Sequence, residues 1–118
     1  MADTAFRQAV ENATQIEITV VGRKTGRQIS LPVWFVQRDG RLYLLPVSGS
    51  DTNWFKNVQK NPTIEVRAGG AEHTAQARLI TDPREVDEIV DAFRAKYGAR
   101  DVQAYYPKTD VAVEVPLS

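Results

Sequence analysis

Cysteine is absent from the 118 residues, which excludes disulfides, thiolate metal sites and cysteine nucleophiles. Histidine occurs once, so no histidine pair exists to build a usual zinc or iron site, and no metal is expected. That residue, His73, stands between Glu72 and Thr74 with no motif around it and reads as a surface side chain rather than a member of a triad. Net charge is missing as well, because fifteen basic and fifteen acidic residues cancel. A nucleic-acid binder carries a basic excess, so no nucleic-acid partner is expected. No apolar run approaches the roughly 20 residues that span a bilayer. The first twelve residues carry Asp3, Arg7 and Glu11 and have no apolar stretch, so they do not read as a secretory signal. The cytoplasm is the expected compartment. No glycine-rich dinucleotide fingerprint, P-loop, repeat or linker is visible.

The residues that are present pattern as one domain over residues 1–118. A short helix is predicted over 2–12, with Phe6, Val10 and Ala13 on one face and Thr4 as its cap. Residues 15–22 alternate as a strand, with Ile16, Ile18 and Val20 pointing one way. A turn around Gly26 leads to a second strand over 28–37, where Pro32 argues for a sheet edge or a bulge. Asp39-Gly40 is a two-residue hairpin signal before a strand over 41–47. A short helix over 51–60 follows, capped by Ser50 or Asp51, with Trp54, Phe55 and Val58 on its apolar face. Strands over 63–68 and 72–80 flank Gly69-Gly70. Asp82-Pro83-Arg84-Glu85 opens a helix that Gly98 closes. A last strand covers 110–115. Six strands joined largely by hairpins predict an α+β fold, a mostly antiparallel β-barrel with small flanking helices.

Two segments carry candidate chemistry. Arg23, Lys24, Thr25, Gly26 and Arg27 place three cations within five residues at a turn. Turn amides and the arginine fork suit an anion such as phosphate, although a solvated hairpin tip has the same composition. Ser48, Gly49 and Ser50 run from a strand toward a helix start. Amides there favour an anion or a carbonyl oxygen, and an ordinary helix cap reads identically. Trp54 is a stacking surface or a core anchor. Tyr105-Tyr106-Pro107 is read as a late loop that packs or offers a hydroxyl. No acid–base or nucleophilic set stands out, so the catalytic residues are unassigned. That suits redox work in which a cofactor supplies the reactive atom.

Three ordered segments resemble the deazaflavin-dependent nitroreductase family of the split β-barrel flavin-binding superfamily. They are Gly22-Arg23-Lys24-Thr25-Gly26-Arg27 with Pro32, then Asp39-Gly40-Arg41-Leu42-Tyr43-Leu44 leading to Ser48, then Trp54-Phe55-Lys56-Asn57-Val58 with Asn61-Pro62. The resemblance implies a six-stranded, FMN-binding split-barrel-like fold, a homodimer, and an oxidoreductase that delivers a hydride to a nitro, quinone or other unsaturated small-molecule acceptor. It implies coenzyme F420 as the cofactor. Arg23, Lys24 and the amides of Thr25 and Gly26 would meet its phosphate, beside Arg27. Pro32 would line the groove, Ser48, Gly49 and Ser50 would approach the ring's polar edge, and Trp54 would pack nearby. Ile29 and Leu31 stand where such proteins often carry another polar residue, and the loop from Gly49 to Asn53 is short. Both features leave FMN as the alternative cofactor. A non-enzymatic flavin- or anion-binding module, or a cofactor-free structural barrel, stays open as an alternative function.

Overall fold

The computed structural model describes residues 4–11 and 13–117. The described residues form α1 (Thr4–Glu11), β1 (Ile16–Val21), β2 (Gln28–Val33), β3 (Val36–Arg38), β4 (Arg41–Leu44), a 3₁₀ turn (Gly49–Asp51), α2 (Asn53–Lys60), β5 (Thr63–Ala68), β6 (Ala71–Gln76), β7 (Arg78–Ile80), α3 (Pro83–Tyr97), α4 (Ala99–Tyr105) and β8 (Ala112–Pro116). The predicted helix ends at residues 2 and 12, and the capping side chain of Thr4, lie outside the described residues.

The strands pair antiparallel in two four-stranded sheets, ordered β2-β1-β5-β6 and β3-β4-β8-β7. The expected α+β class holds. The six-stranded barrel does not: the described residues form eight strands, and the two sheets are not closed into one barrel. The cause is local. Two segments that read as single strands each turn a corner and continue in the other sheet, as strands do where two sheets meet at an angle. The first breaks at Trp34-Phe35, between β2 and β3. The second breaks at Ala77, between β6 and β7.

Backbone groups that leave a ladder must find other partners, and both corners supply them. The Phe35 N–H donates to the Tyr97 hydroxyl at 3.1 Å, and the Phe35 carbonyl accepts from Lys96 Nζ at 2.9 Å. The Ala77 N–H donates to the Pro62 carbonyl at 2.8 Å. The hairpin between β3 and β4 follows its signal. Arg38 pairs with Arg41 across Asp39 and Gly40, both at positive φ (53° and 73°), as a two-residue primed turn requires.

Alternation along the strands sets the layers. Ile16, Ile18 and Val20 of β1 and Ile64 and Val66 of β5 face Leu42, Leu44, Val113 and Val115 of the second sheet, with Phe6, Phe55 and Val58 closing that core. The other face of the second sheet packs Val36, Ile80 and Ala112 against Val86, Ile89, Val90 and Phe93 of α3 and Val102 of α4. β8 is therefore covered on both faces, so Glu114 is only 5% exposed. Its carboxylate accepts from Arg78 Nε at 2.8 Å and lies 3.3 Å from Arg41 Nε. β2 is a sheet edge, where Pro32 removes no ladder donor that the sheet needs.

Candidate functional site

Two cavities follow one another along β2. Ile29 walls the first, and Leu31, Pro32 and Val33 wall the second. Val33 lies four residue steps beyond Ile29, roughly 13 Å at about 3.3 Å per residue. The start of α2 provides the opposite wall, Asn53 and Asn57 at the first cavity and Trp54 at the second. The two differ in chemistry as well as place.

The first cavity, about 260 Å³, opens beneath the basic turn and is lined by Gly22, Arg23, Lys24 and Thr25. The turn is closed internally. The Gly22 N–H donates to the Arg27 carbonyl at 2.7 Å, the Gly26 N–H to the Gly22 carbonyl at 2.9 Å, and the Arg27 N–H to Thr25 Oγ1 at 3.3 Å. Gly26 reaches this geometry at φ 73°, a conformation that costs other residues strain. The Gly26 amide is therefore engaged, while the amides of Lys24 and Thr25 have no protein partner among the described residues.

Arg23 is docked rather than free. Its backbone N–H and its Nη1 both donate to Asn57 Oδ1, at 3.1 and 2.8 Å, and Nη1 also donates to the Asn53 carbonyl at 3.4 Å. Asn57 is 4% exposed, a polar side chain set between Trp54 and Val58 on the buried stripe of α2. This leaves Arg23 Nε and Nη2 without a hydrogen-bond partner among the described residues. Arg23, Lys24 and Arg27 also have no ion-pair partner there, whereas Arg41, Arg67, Arg78 and Arg94 each have one. Lys24 and Arg27 are exposed.

The second cavity, about 160 Å³, is apolar and aromatic. Pro32 lies on its rim, and Trp54 reaches it while packing into the core at 5% exposure. Trp34 stacks on Tyr97 with centroids 4.2 Å apart and on Tyr105 at 4.7 Å. Burial holds the Tyr97 hydroxyl above its ordinary pKa, partly offset by its contact with the Phe35 backbone. Burial raises Tyr106 further, helped by the neighbouring Tyr97 and Tyr105.

Ser48, Gly49 and Ser50 line neither cavity. Their amides are consumed within the protein: Ser48 donates to Thr52 Oγ1 at 2.8 Å, Gly49 to the Pro46 carbonyl at 3.1 Å, and Ser50 to Asp110 Oδ1 at 2.9 Å. The Ser50 hydroxyl donates to Asp110 Oδ2 at 2.6 Å. Asp110 thus puts the protein's own carboxylate where the sequence suggested a bound anion. Lys108 completes the cluster, 2.8 Å from Asp51 and 3.8 Å from Asp110.

The sequence reading missed several of these residues. Asn57 carried a signal, as an asparagine spaced to fall on the apolar side of α2. Trp34 was hidden by the assumption of a straight strand, and Asp110 lies sixty residues beyond the loop it closes. Tyr105 ends a helix, α4, in a stretch that read as loop. His73 is half-buried, and its Nε2 lies 3.0 Å from the Pro116 carbonyl, so it links the two sheets rather than facing water. Among the described residues, no helix is long and apolar enough to cross a membrane.

Solved structures share this split-barrel-like fold at low identity. An F420-H2 dependent reductase (FDR-A) matches with a TM-score of 0.68 and 20% identity, over 86% of this chain and 93% of that one. A structure described as a domain-swapped dimer matches at 0.69 and 21%, over 86% and 79%. The heme storage protein HutZ from Vibrio cholerae matches at 0.71 and 13%, over 97% and 87%. A fold that serves such different proteins does not by itself assign a function. A family model matches residues 7–114, and the chain belongs to that family, described as an uncharacterized protein conserved in bacteria (DUF2255).

Proposed function

We propose that this chain is an oxidoreductase of the split-barrel type that holds a phosphorylated deazaflavin or flavin along β2. Coenzyme F420 is the first candidate and FMN the alternative. The observation that carries the reading is the state of Arg23. Asn57 fixes its guanidinium at the mouth of the first cavity and leaves two nitrogens without a partner among the described residues. Lys24, with the amides of Lys24 and Thr25, adds donors at the same place, and among the described residues no ion-paired carboxylate neutralises them. This donor set fits a phosphate. The second cavity fits a planar ring, with Pro32 on its rim and Trp34 and Trp54 as aromatic walls. Ser48, Gly49 and Ser50 are given no cofactor contact in this reading, because their donors are engaged elsewhere.

The reduced ring of the bound cofactor would supply the hydride for a nitro, quinone or other unsaturated acceptor. The protein's part is placement. Arg23 and Lys24 bind the anionic end, and the apolar cavity excludes water from the ring. A homodimer belongs to the same proposal. It is supported by the similar structure described as a domain-swapped dimer and by Ile29 and Val47, which remain exposed along the cavity edges.

The test is titration of purified protein with F420 and with FMN, read by visible spectrum and calorimetry. Binding of one of them, weakened at least tenfold in the Arg23→Ala/Lys24→Ala double variant, is the expected result. No binding of either at near-millimolar concentration overturns the proposal. A second reading, a barrel that works without cofactor, draws on Asp110 and Tyr105, which occupy polar and aromatic positions with the protein's own groups. Tight binding without turnover across several acceptors would instead indicate a carrier or sensor.

A further inference from the structure

Trp34 is covered on both faces, and the two covers are held differently. Tyr97 lies nearly parallel to the indole (9°) and is fixed by its hydroxyl, which accepts from the Phe35 N–H and lies 2.7 Å from the Thr14 carbonyl. Tyr105 also lies nearly parallel (16°). It is 50% exposed, ends the seven-residue α4, and its hydroxyl makes no hydrogen bond among the described residues. Its ring stacks on Trp34 and meets Tyr106 edge-on, with no hydrogen bond to fix it. The second cavity of the groove and another of about 310 Å³ share Trp34 and Tyr105 as walls.

A ring that stacks without a hydrogen bond to anchor it can be exchanged for another ring, since the incoming molecule restores the stacking contact. The larger cavity also sets a charge preference. Its lining holds Asp101 and no lysine or arginine, and neither does that of the second cavity. An indole face attracts cations more strongly than other aromatic faces do. We propose that the outer face of Trp34 is a binding site for a planar aromatic cation of the N-alkylpyridinium or N-alkylquinolinium class, which enters by displacing Tyr105. Trp34 supplies the stacking face, Asp101 the counter-charge, and Tyr105 the competitor that the ligand must move. The site uses none of the donors around Arg23, but it borders the second cavity, given above to the cofactor ring, through Trp34 and Tyr105; the titration without cofactor therefore reads it separately.

The test titrates the full chain, without cofactor, with N-methylquinolinium and with 2-naphthoate, a planar anion of similar size, by calorimetry. Quinolinium is expected to bind at least tenfold more tightly than naphthoate. Tyr105→Ala is expected to tighten quinolinium binding several-fold, because it removes the competing ring. Asp101→Asn is expected to erase most of the preference over naphthoate. Trp34→Leu, checked for a native unfolding transition, is expected to abolish binding. Arg23→Ala/Lys24→Ala is expected to leave it unchanged, which separates this site from the proposed phosphate site. Equal or weaker quinolinium binding in Tyr105→Ala overturns the proposal, and so does equal binding of the two probes to the Arg23→Ala/Lys24→Ala variant, in which the proposed phosphate site can no longer hold naphthoate. Tyr105→Ala alters an exposed ring, so it remains informative if Trp34→Leu fails to fold.

Discussion

Asn57 is where the proposed anion site and the stability of the fold meet, and two substitutions there separate them. Asn57 Oδ1 accepts from the Arg23 amide at 3.1 Å and from Arg23 Nη1 at 2.8 Å. Asn57→Ala removes both bonds, one of them from a charged donor. A neutral bond contributes about 1 kcal/mol net and one to a charged group roughly 1.5–3 kcal/mol. Arg23 is half-buried and borders the first cavity, so water can reach the abandoned donors. The expected loss is therefore about 2 kcal/mol, which lowers Tm by roughly 8 °C in a domain of this size. Asn57→Asp keeps an acceptor in place and should lose less stability than the alanine variant. It also sets a negative charge beside the guanidinium. Two unit charges about 5 Å apart interact by about 3 kcal/mol at an effective dielectric of 20. Roughly half of that should survive salt and solvent at a half-open site. An anion at the turn should then bind about tenfold more weakly, because about 1.4 kcal/mol is a factor of ten. Thermal unfolding followed by circular dichroism gives the stability arm. Calorimetric titration with inorganic phosphate and with FMN gives the binding arm. An aspartate variant that outlasts the alanine variant on heating, yet binds phosphate as the unmodified chain does, would refute the role given to Arg23.

Three further outcomes follow from the packing. Gly49→Ala should destabilise by about 2 kcal/mol or more, because Gly49 sits at φ 56° and an added Cβ would collide with Asp110 Oδ1; an unchanged Tm would contradict this. Stability should fall with acidity below about pH 4. Hydrogen bonding from Lys108 and its charge lower the Asp51 pKa. At Asp110 burial acts to raise the pKa, but bonds from the Ser50 hydroxyl and amide and the charge of Lys108 outweigh it. A carboxyl lowered in the folded state stabilises fully above its unfolded pKa of about 3.9 and loses that contribution as pH falls through the folded value. Asp110→Asn should therefore flatten the acid limb of a Tm-versus-pH curve, and an unaltered limb would count against the Ser50–Asp110 latch. Glu114→Ala should cost about 2–3 kcal/mol in a urea titration, since it leaves Arg78 and Arg41 without their shared buried carboxylate; Glu114→Gln should cost less.

Most elements were legible in the sequence because their signals are local. Asp82 accepts from the Arg84 N–H at the start of α3, Pro83 follows, and Gly98 ends the helix at φ 97°. Each needs only its neighbours. The hairpin at Asp39-Gly40 and the turn at Gly69-Gly70 are likewise set by backbone conformations that few residues adopt. The strand count failed because alternation says which side chains share a face and not whether the strand stays in one sheet. The segment 28–37 keeps its apolar residues through Trp34-Phe35. What bends it is packing against Tyr97 and Lys96, more than sixty residues away. α4 was missed because its buried apolar signal is Val102 within the helix and Tyr106 just after it, too few for a periodicity to show.

The site divides along the same line. Counting donors in the sequence offered both Arg23–Arg27 and Ser48–Ser50 as anion sites, the basic turn first, since both combine a glycine turn with polar side chains. What distinguishes them is who takes the donors. Asp110 and Thr52 satisfy the loop at Ser48–Ser50, and Gly49 has no room beside Asp110 for even one more carbon. At the basic turn, Asn57 takes the backbone amide and one guanidinium nitrogen of Arg23 and fixes the rest, while Lys24 and two amides have no partner among the described residues. An anion-binding site is a surplus of positioned donors, and a surplus exists only relative to partners that the fold brings from elsewhere in the chain. By that criterion the proposed contact with the charged end of a cofactor belongs to the basic turn, and the loop at Ser48–Ser50 offers nothing comparable among the described residues. Ring recognition would then rest on shape and stacking at Trp34 and Trp54. Shape and stacking discriminate poorly between a flavin and a deazaflavin, because the two rings offer similar faces. Selectivity between F420 and FMN must therefore come from the turn, or from whatever the chain offers to the tail beyond the phosphate.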